Sequence, residues 1–348
     1  MSDSLFAQVA KNFTIVRVTG DDAHRETDQW QHLRDLILNS ESMYPKIGKW
    51  LGSKVRTGLR SKARSAFVGY HNGVPAVSCV LKHGPRAKLC HLKVHDRLQK
   101  SNIGEFFFAL TAMEVASRAK QIHFTLPSSL WDEKKYFFSS FSFRKVEKAE
   151  KQYRLFDEEL HCSAPFDQVW HSVVNKLPKL MGALSIENCS LDSRLLMSLR
   201  PSYAKAILNG TKSVEIRRSF SRRWLGSRVS LYATSPTKSL VGEAVIEKLS
   251  QSDPESIWGR FGGQIGCTKA EYDAYVTGAD QIFALTLCDV RAYTTPLGLR
   301  EARHLIGDSL RVPQSYSKIT PDSPWGKALP IASLLQAFHA SSISYPIV

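Results

Sequence analysis

The stretch GTKSVEIRRSFSRRW, residues 210 to 224, encloses one acid, Glu215, between Lys212 and four arginines, Arg217, Arg218, Arg222 and Arg223. Two chemistries fit these residue types. One is a structural ion pair of Lys212 or Arg217 with Glu215. The other is a site that grips an anionic or base-like ligand. A third use, a lysine of lowered pKa that activates a nucleophile, is disfavoured because a lysine beside Glu215 stays protonated and paired. Strand alternation places Lys212, Val214 and Ile216 on one side and Ser213, Glu215 and Arg217 on the other. Trp224 and Tyr232, interleaved with Arg218, Arg222, Arg223 and Arg228, supply what single-stranded nucleic acid needs, charge for phosphates and flat rings for bases. Such a run also suits an ordinary solvated face.

A second candidate site lies in LKVHDRLQKSNIGEFFFALTAMEV, where Val94, Gln99, Lys100, Ser101, Asn102, Ile103 and Gly104 follow a strand and open a helix. A helix start offers unpaired main-chain N–H groups and the positive end of a dipole, so it binds phosphate without basic side chains. Gly104 lets the backbone approach a ligand, and Asn102 is the best non-glycine choice for a left-handed position. His91, His95 and Asp96 stand nearby as candidate general bases, and Tyr136 as a candidate acid. His91 and His95 fall in a strand and the turn after it, a poor platform for a metal, and none is expected. Lys54, Arg56, Arg60, Lys62 and Arg64 form a second basic stretch on or after a helix.

The elements that must hold these residues fall into two domains, the default for 348 residues. A formal charge of +15 points to polyanionic partners, nucleic acid first. No stretch approaches about twenty apolar residues and MSDSLFAQVAKNF lacks the features of a signal peptide, so a soluble, cytoplasmic protein is expected. The six cysteines show no CxxC or CxxH pairing and indicate neither a zinc site nor a disulfide framework. The first half predicts an α/β order of β, α, α, β, β, β, α, β, α, β, with a hairpin turning at His71, Asn72 and Gly73. Residues 161 to 191 read as a helical linker. Residues 192 to 320 read as a small β-barrel with helices, and 321 to 348 as an extension.

QKSNIG resembles the Q/R-x-x-G-x-G/A signature of the GNAT N-acetyltransferase superfamily, and KKYFFSSFSFRKV resembles that family's later helix and strand. The resemblance covers residues 12 to 160. It implies a mixed sheet with flanking helices and a turn that holds the pyrophosphate of acetyl-CoA or a related acyl-CoA. Asn102 replaces a usual glycine, and Phe138 stands where family members commonly carry a tyrosine acid. Phenylalanine has no proton to donate, which leaves Tyr136, two residues earlier, as the substitute.

The second half resembles the ASCH family, a PUA-like barrel associated with RNA, whose G-x-K-x-x-E-x-R hallmark is Gly210, Lys212, Glu215 and Arg217. GCTKAEYDAYVTGADQIFALTL and LRVPQSYSKIT extend the likeness over residues 194 to 320. The family implies a cleft for a base, nucleotide or nucleic-acid strand, RNA favoured over DNA. Together the two resemblances imply an N-acyltransferase acting on a nucleic-acid base or an associated protein amine. A nucleic-acid-binding regulator with a degenerate first domain is one alternative. Another is an amidohydrolase acting on acetylated cytidine, as some small members of the family are; for it Lys212 is retained, but Glu215 stands where those members carry a threonine.

Overall fold

A computed structural model describes residues 13–99, 102–116, 118–150, 157–183, 194–339 and 345–347. The chain divides into two compact α/β units, one of residues 1–189 with 340–348 and one of residues 190–339.

Unit 1 is built on β1 (Phe13–Val18), β2 (Arg64–His71), β3 (Val74–Lys82), β4 (Arg86–Val94), β5 (Gln121–Pro127), β6 (Lys145–Lys148) and β7 (Glu159–Pro165). With the C-terminal strand Tyr345–Ile347 added at the β1 edge, they form one eight-stranded sheet, ending in the order β4, β5, β7, β6. The β2–β3 hairpin turns through Asn72 at φ 51° and Gly73 at φ 76°, the left-handed pair that matches strand twist.

One face of the sheet is covered by α1 (Gly20–Arg25), α2 (Asp28–Leu38), α3 (Ile47–Trp50), a π turn (Leu51–Val55) and α4 (Arg56–Arg60). Trp30, Leu33 and Ile37 of α2 recur at helical spacing and join Val18, Ala66, Val68 and Val80 in one core. The short helix α1 escapes sequence reading; a reciprocal cap between Thr19 and Asp22 starts it.

The long helix α5 (Ile103–Val115) buries Phe106, Phe107, Phe108 and Leu110. Next come α6 (Ser128–Ser140) and α7 (Phe166–Ala183). The expected linker of residues 161 to 191 is corrected here. His161 lies in β7, and α7 is part of unit 1, with Val169, Val173 and Leu177 fully buried and Lys176 paired with Glu105 of α5 at 3.2 Å. Of the closing strand that the sequence KQYRLFDEEL, residues 151 to 160, predicts, residues 151–156 lie outside the described residues, and β7 starts at Glu159.

Unit 2 holds β8 (Arg194–Leu199), α8 (Pro201–Leu208), β9 (Val214–Arg217), β10 (Arg228–Ala233), β11 (Ser239–Ser252), α9 (Pro254–Ile265), α10 (Lys269–Val276), β12 (Ile282–Gly298), α11 (Leu299–Ile306), β13 (Tyr316–Lys318) and α12 (Pro324–His339). Its sheet runs β13-β8-β10-β11-β12-β9, parallel only between β8 and β10. Leu195, Met197, Leu199, Val229, Leu231, Leu285 and Leu287 fill one side. The two ends of this order meet through side chains at a seam, described below, which makes it the small barrel expected.

Residues 324–339 are no loose extension, because Trp325, Ala328, Leu329 and Ala332 of α12 pack with Leu196, Tyr232 and Leu297 in a second core. The extension drawn from 321 to 348 is therefore divided, its helix in unit 2 and its final strand in unit 1.

Candidate nucleic-acid site and coenzyme turn

In unit 2, α8 stops at Asn209, and Gly210 follows at φ 81°. Strand β9 starts only at Val214, so Lys212 is not bound by strand alternation. Alternation would set Lys212 opposite Glu215; instead its side chain folds back to meet it. Lys212 Nζ lies 3.2 Å from Glu215 Oε2 and donates to the carbonyls of Val214 at 2.8 Å and Ile265 at 2.5 Å. Its three N–H donors are thus engaged, and a role as general base would require breaking one of these bonds.

Arg217 completes the triad. Its Nη2 lies 3.1 Å from Glu215 Oε1 and donates to Ser198 O at 3.0 Å, while Nη1 donates to Ser315 Oγ at 3.0 Å. Lys212, Glu215 and Arg217 are 3%, 6% and 7% exposed, so they form the floor of the seam and not a solvated face. Arg217 Nε is buried without a hydrogen-bond partner among the described residues.

Val214 and Ile216 turn the other way and pack under α9 and α10 with Ile257, Ile265 and Tyr272. Gly266, at φ 73°, sits on the lysine stem: a Cβ there would come 3.0 Å from Lys212 Cβ. Cys267 follows, its thiol pushed up by burial, against the pull of Lys212, so it stays protonated at neutral pH. Tyr203 lies under the ammonium, 5.3 Å from its ring centre to Lys212 Nζ. Sequence reasoning missed Ser198, Tyr203, Ile265, Gly266, Cys267 and Ser315. They come from other elements at no fixed spacing, and two of them act through main-chain carbonyls.

The flanking run separates into two classes. Arg218, Arg222 and Arg223 are exposed. Trp224 is 6% exposed and Tyr232 2%, each in a core, so neither is a platform for bases, which corrects that expectation. Arg228 is engaged as well, paired with Glu243 at 3.1 Å and Asp289 at 2.7 Å.

In unit 1, β4 and β5 run parallel but pair only where Arg86–Lys88 meets Gln121–His123; beyond that β4 continues to Val94 and β5 to Pro127 without pairing each other. The two strands therefore diverge toward the turn that opens α5. Gln99 Nε2 bridges back to Asp96 Oδ1 at 2.8 Å and to Val94 O at 3.5 Å, closing the loop. Asn102 is the N-cap of α5 and makes no side-chain cap, leaving the first-turn N–H groups without that partner.

Asn102 sits at φ −71°, so no left-handed conformation explains it, contrary to the sequence expectation. Ile103 is fully buried, so only its main chain faces a ligand at the turn. A Cβ on Gly104 would lie 3.7 Å from Val94 Cγ2 and 3.8 Å from Phe137 Cε2. Lys100 and Ser101 lie outside the described residues.

Three catalytic expectations change. Phe137 is the α6 side chain nearest Gly104, whereas Tyr136 is 81% exposed and Phe138 stacks on Trp131 with ring centres 5.5 Å apart. Tyr136 is thus no acid directed at the turn. His91 Nε2 lies 2.8 Å from the buried Ser78 Oγ, and burial, reinforced by Lys93, pulls its imidazole down to about 4. His95 caps a short 3-10 turn, its exposed Nδ1 accepting from Arg97 N at 3.3 Å. In the second basic stretch Arg56 pairs with Glu26 and Arg64 donates to Cys90 Sγ and Lys54 O. Lys54, Arg60 and Lys62 remain exposed.

A six-stranded sheet whose ends are bridged by a buried lysine, glutamate and arginine brings the G-x-K-x-x-E-x-R residues of unit 2 into one site. The chain belongs to the ASCH-domain family. It is 34% identical over 122 residues to an ASCH domain-containing ribonuclease of Zymomonas mobilis, covering 35% of this chain and 81% of that one. A family model described as a domain of unknown function, DUF365, matches residues 196–310. The crystal structure of the ASCH protein from Zymomonas mobilis aligns with 41% of this chain and 95% of that one at 30% identity and TM-score 0.37. An acetyltransferase of the GNAT family from Desulfovibrio desulfuricans aligns with 44% of this chain and 99% of its own at 14% identity and TM-score 0.36. No helix among the described residues is long and apolar enough to cross a membrane.

Proposed function

We propose that unit 2 engages RNA at the barrel seam and that unit 1 holds an acyl-CoA at the Val94–Gly104 turn. The observation that carries the first part is the locked triad. Glu215 fixes Lys212 and Arg217 so that a buried guanidinium keeps one donor, Nε, without a partner beside the exposed Ser315. That Nε is closed off from solvent, so an acceptor atom of a base or ribose would reach it only as the seam opens, while the ion pairs keep the rest of the triad preset. The exposed Arg218, Arg222 and Arg223 meet phosphates. RNA is favoured over DNA by the ribonuclease name of the Zymomonas relative. With both oxygens of Glu215 and every N–H of Lys212 occupied, the triad favours holding RNA over cleaving it or hydrolysing acetylated cytidine.

The second part rests on the diverging β4 and β5 strands, on the α5 start without a side-chain cap, and on the room at Gly104. Such a helix start takes the coenzyme's pyrophosphate. For acyl transfer, a neutral amine would attack the thioester carbonyl and the coenzyme would leave as its thiolate, with the amine's proton lost to water. Phe137 at the turn and the lowered His91 imidazole give this step little acid or base help, which favours acyl-CoA binding with slow or absent transfer.

Incubation of the protein with labelled acetyl-CoA and RNA, alone and with total protein, separates the two versions. Label on either acceptor establishes transfer. Coenzyme affinity by calorimetry without label establishes binding alone, and no affinity removes the unit 1 assignment. RNA retention on filters that survives loss of Arg217 and of Arg222 with Arg223 would remove the unit 2 assignment.

A further inference from the structure

The triad at the seam leaves no free cation for a phosphate, so a nucleic-acid strand must find its counter-charges elsewhere on unit 2. Besides the Arg218–Arg223 loop, a groove beside α11 gathers several. This open groove of about 840 Å³ is lined by Lys238 and Ser239 before and in β11, by Arg300, Arg303 and His304 of α11, and by one acid, Asp308, just beyond that helix. The three α11 residues stand at i, i+3 and i+4 and so share one face of that helix. Two acids stand near, Glu301 three residues before His304 and Asp308 in the lining, but neither pairs with Lys238, Arg300 or His304 among the described residues.

Lys238 is set in this groove by its backbone. It adopts φ 46°, a left-handed conformation that glycine takes without strain and lysine does not. Its N–H donates to Thr234 O at 2.9 Å and its carbonyl accepts from Leu299 N at 2.8 Å, pinning it to the start of α11. The side chain is exposed and makes no ion pair among the described residues, as do those of Arg300 and His304. Arg303 is partly engaged, its Nε donating to Leu310 O at 3.3 Å. The backbone holds the Lys238 ammonium opposite a helix that presents further cations, and an anion in the groove would offset their mutual repulsion.

We infer that the groove between Lys238 and the Arg300–His304 face of α11 is a second phosphate-binding site, which takes phosphodiester groups of the RNA strand bound by unit 2. The inference rests on the RNA reading above and extends it from one site to a track. The shared chemistry is a phosphate oxygen cluster, so inorganic pyrophosphate tests the groove by itself and a single-stranded oligouridylate tests it as part of a strand.

The test uses the full chain with Lys238→Gly, Lys238→Arg and the Arg300→Ala, His304→Ala pair. Lys238→Gly removes the charge and the strain together, so the melting temperature should hold or rise while oligouridylate affinity falls several-fold. Lys238→Arg should retain affinity. Loss of the Arg300 charge should flatten log K against log salt by about 0.7, the contribution of one single-strand phosphate, with His304→Ala removing a ring donor from the same face.

Oligouridylate binding that is untouched by all three variants overturns the groove while leaving the RNA reading intact. If oligouridylate does not bind at all, side-chain NMR shifts of Arg300 with pyrophosphate decide. Shifts lost in Lys238→Gly keep the groove as a phosphate site and remove the RNA reading, and no shifts remove both.

Discussion

Arg217 Nη2 donates to the main-chain carbonyl of Ser198 at 3.0 Å, and that bond ties β9, at one end of the unit 2 strand order, to β8 near the other. The same guanidinium reaches Ser315 and Glu215. Replacing Arg217 by Met should therefore weaken the barrel itself. Breaking a buried pair by removing one partner costs about 3–5 kcal/mol. Urea unfolding of the full chain, followed through the unit 2 tryptophans, should show a lower midpoint. Arg217→Lys retains charge but not the fork, and should recover only part of the loss.

Trp224 offers a contrasting case. It lies in the barrel core with Phe220, Val229 and Leu285, and Arg223 covers its ring at 4.7 Å. Trp224→Ala should cost about 3–5 kcal/mol of stability as a cavity. Trp224→Phe, folded, should keep its RNA affinity. A large affinity loss in folded Trp224→Phe would show that the ring does stack on a base.

Arg222 and Arg223 should behave in the opposite way. Both are exposed, with no ion pair among the described residues, so replacing the two by Ala should leave thermal stability within about 0.5 kcal/mol. RNA affinity should fall, and the salt slope should shrink by about 1.4. Unchanged binding at low salt would take this loop out of the interface.

Gly104 separates fold from ligand. Because a Cβ there meets nothing nearer than 3.7 Å, Gly104→Ala should fold normally. Gly104→Val adds branches toward Val94 and Phe137 and the space a coenzyme phosphate would use. Calorimetry should show coenzyme A affinity reduced at least about tenfold, roughly 1.4 kcal/mol. Full affinity in a folded Gly104→Val protein would rule the turn out.

The histidines of unit 1 make its stability depend on pH. Burial pulls His91 down to about 4, and burial with Lys88, His161 and Arg86 pulls His123 down to about 4, from an ordinary 6.5. His123 Nδ1 also lies 3.2 Å from His161 Nε2. Between those values the unfolded chain takes up protons that the folded one refuses. Stability is therefore complete above about 6.5 and declines as the pH falls toward 4. Denaturation midpoints at pH 7.5, 6, 5 and 4.5 should fall in that order. The slope should lessen in His123→Gln, and an equal slope in that variant would assign the effect elsewhere.

Much of the local structure was legible. The spans of α2, β2, β3, β4 and β5 follow from apolar spacing and from the Asn72–Gly73 turn, since these depend on neighbours in sequence. The hallmark Gly210, Lys212, Glu215 and Arg217 was legible for the same reason. The short helix α1 and the destination of α7 and α12 were not, because an amphipathic helix states that it has an apolar face and not which surface will cover it.

The residues of the site divide along the same line. Sequence alone determined which charges lie near Glu215 and that a helix opens at Gly104. Only the tertiary structure decided that Lys212 turns to the side of Glu215, that Trp224 and Tyr232 point inward, and that Phe137 rather than Tyr136 meets the turn. Register and rotation around a helix are fixed by what packs on each face. For the seam, the partners Ser198, Ile265 and Ser315 arrive from a strand, a helix end and the bend before β13, as far as 98 residues from Arg217 in the chain. No local pattern encodes that closure, because it follows from the sheet curving until its two ends are within reach of one guanidinium.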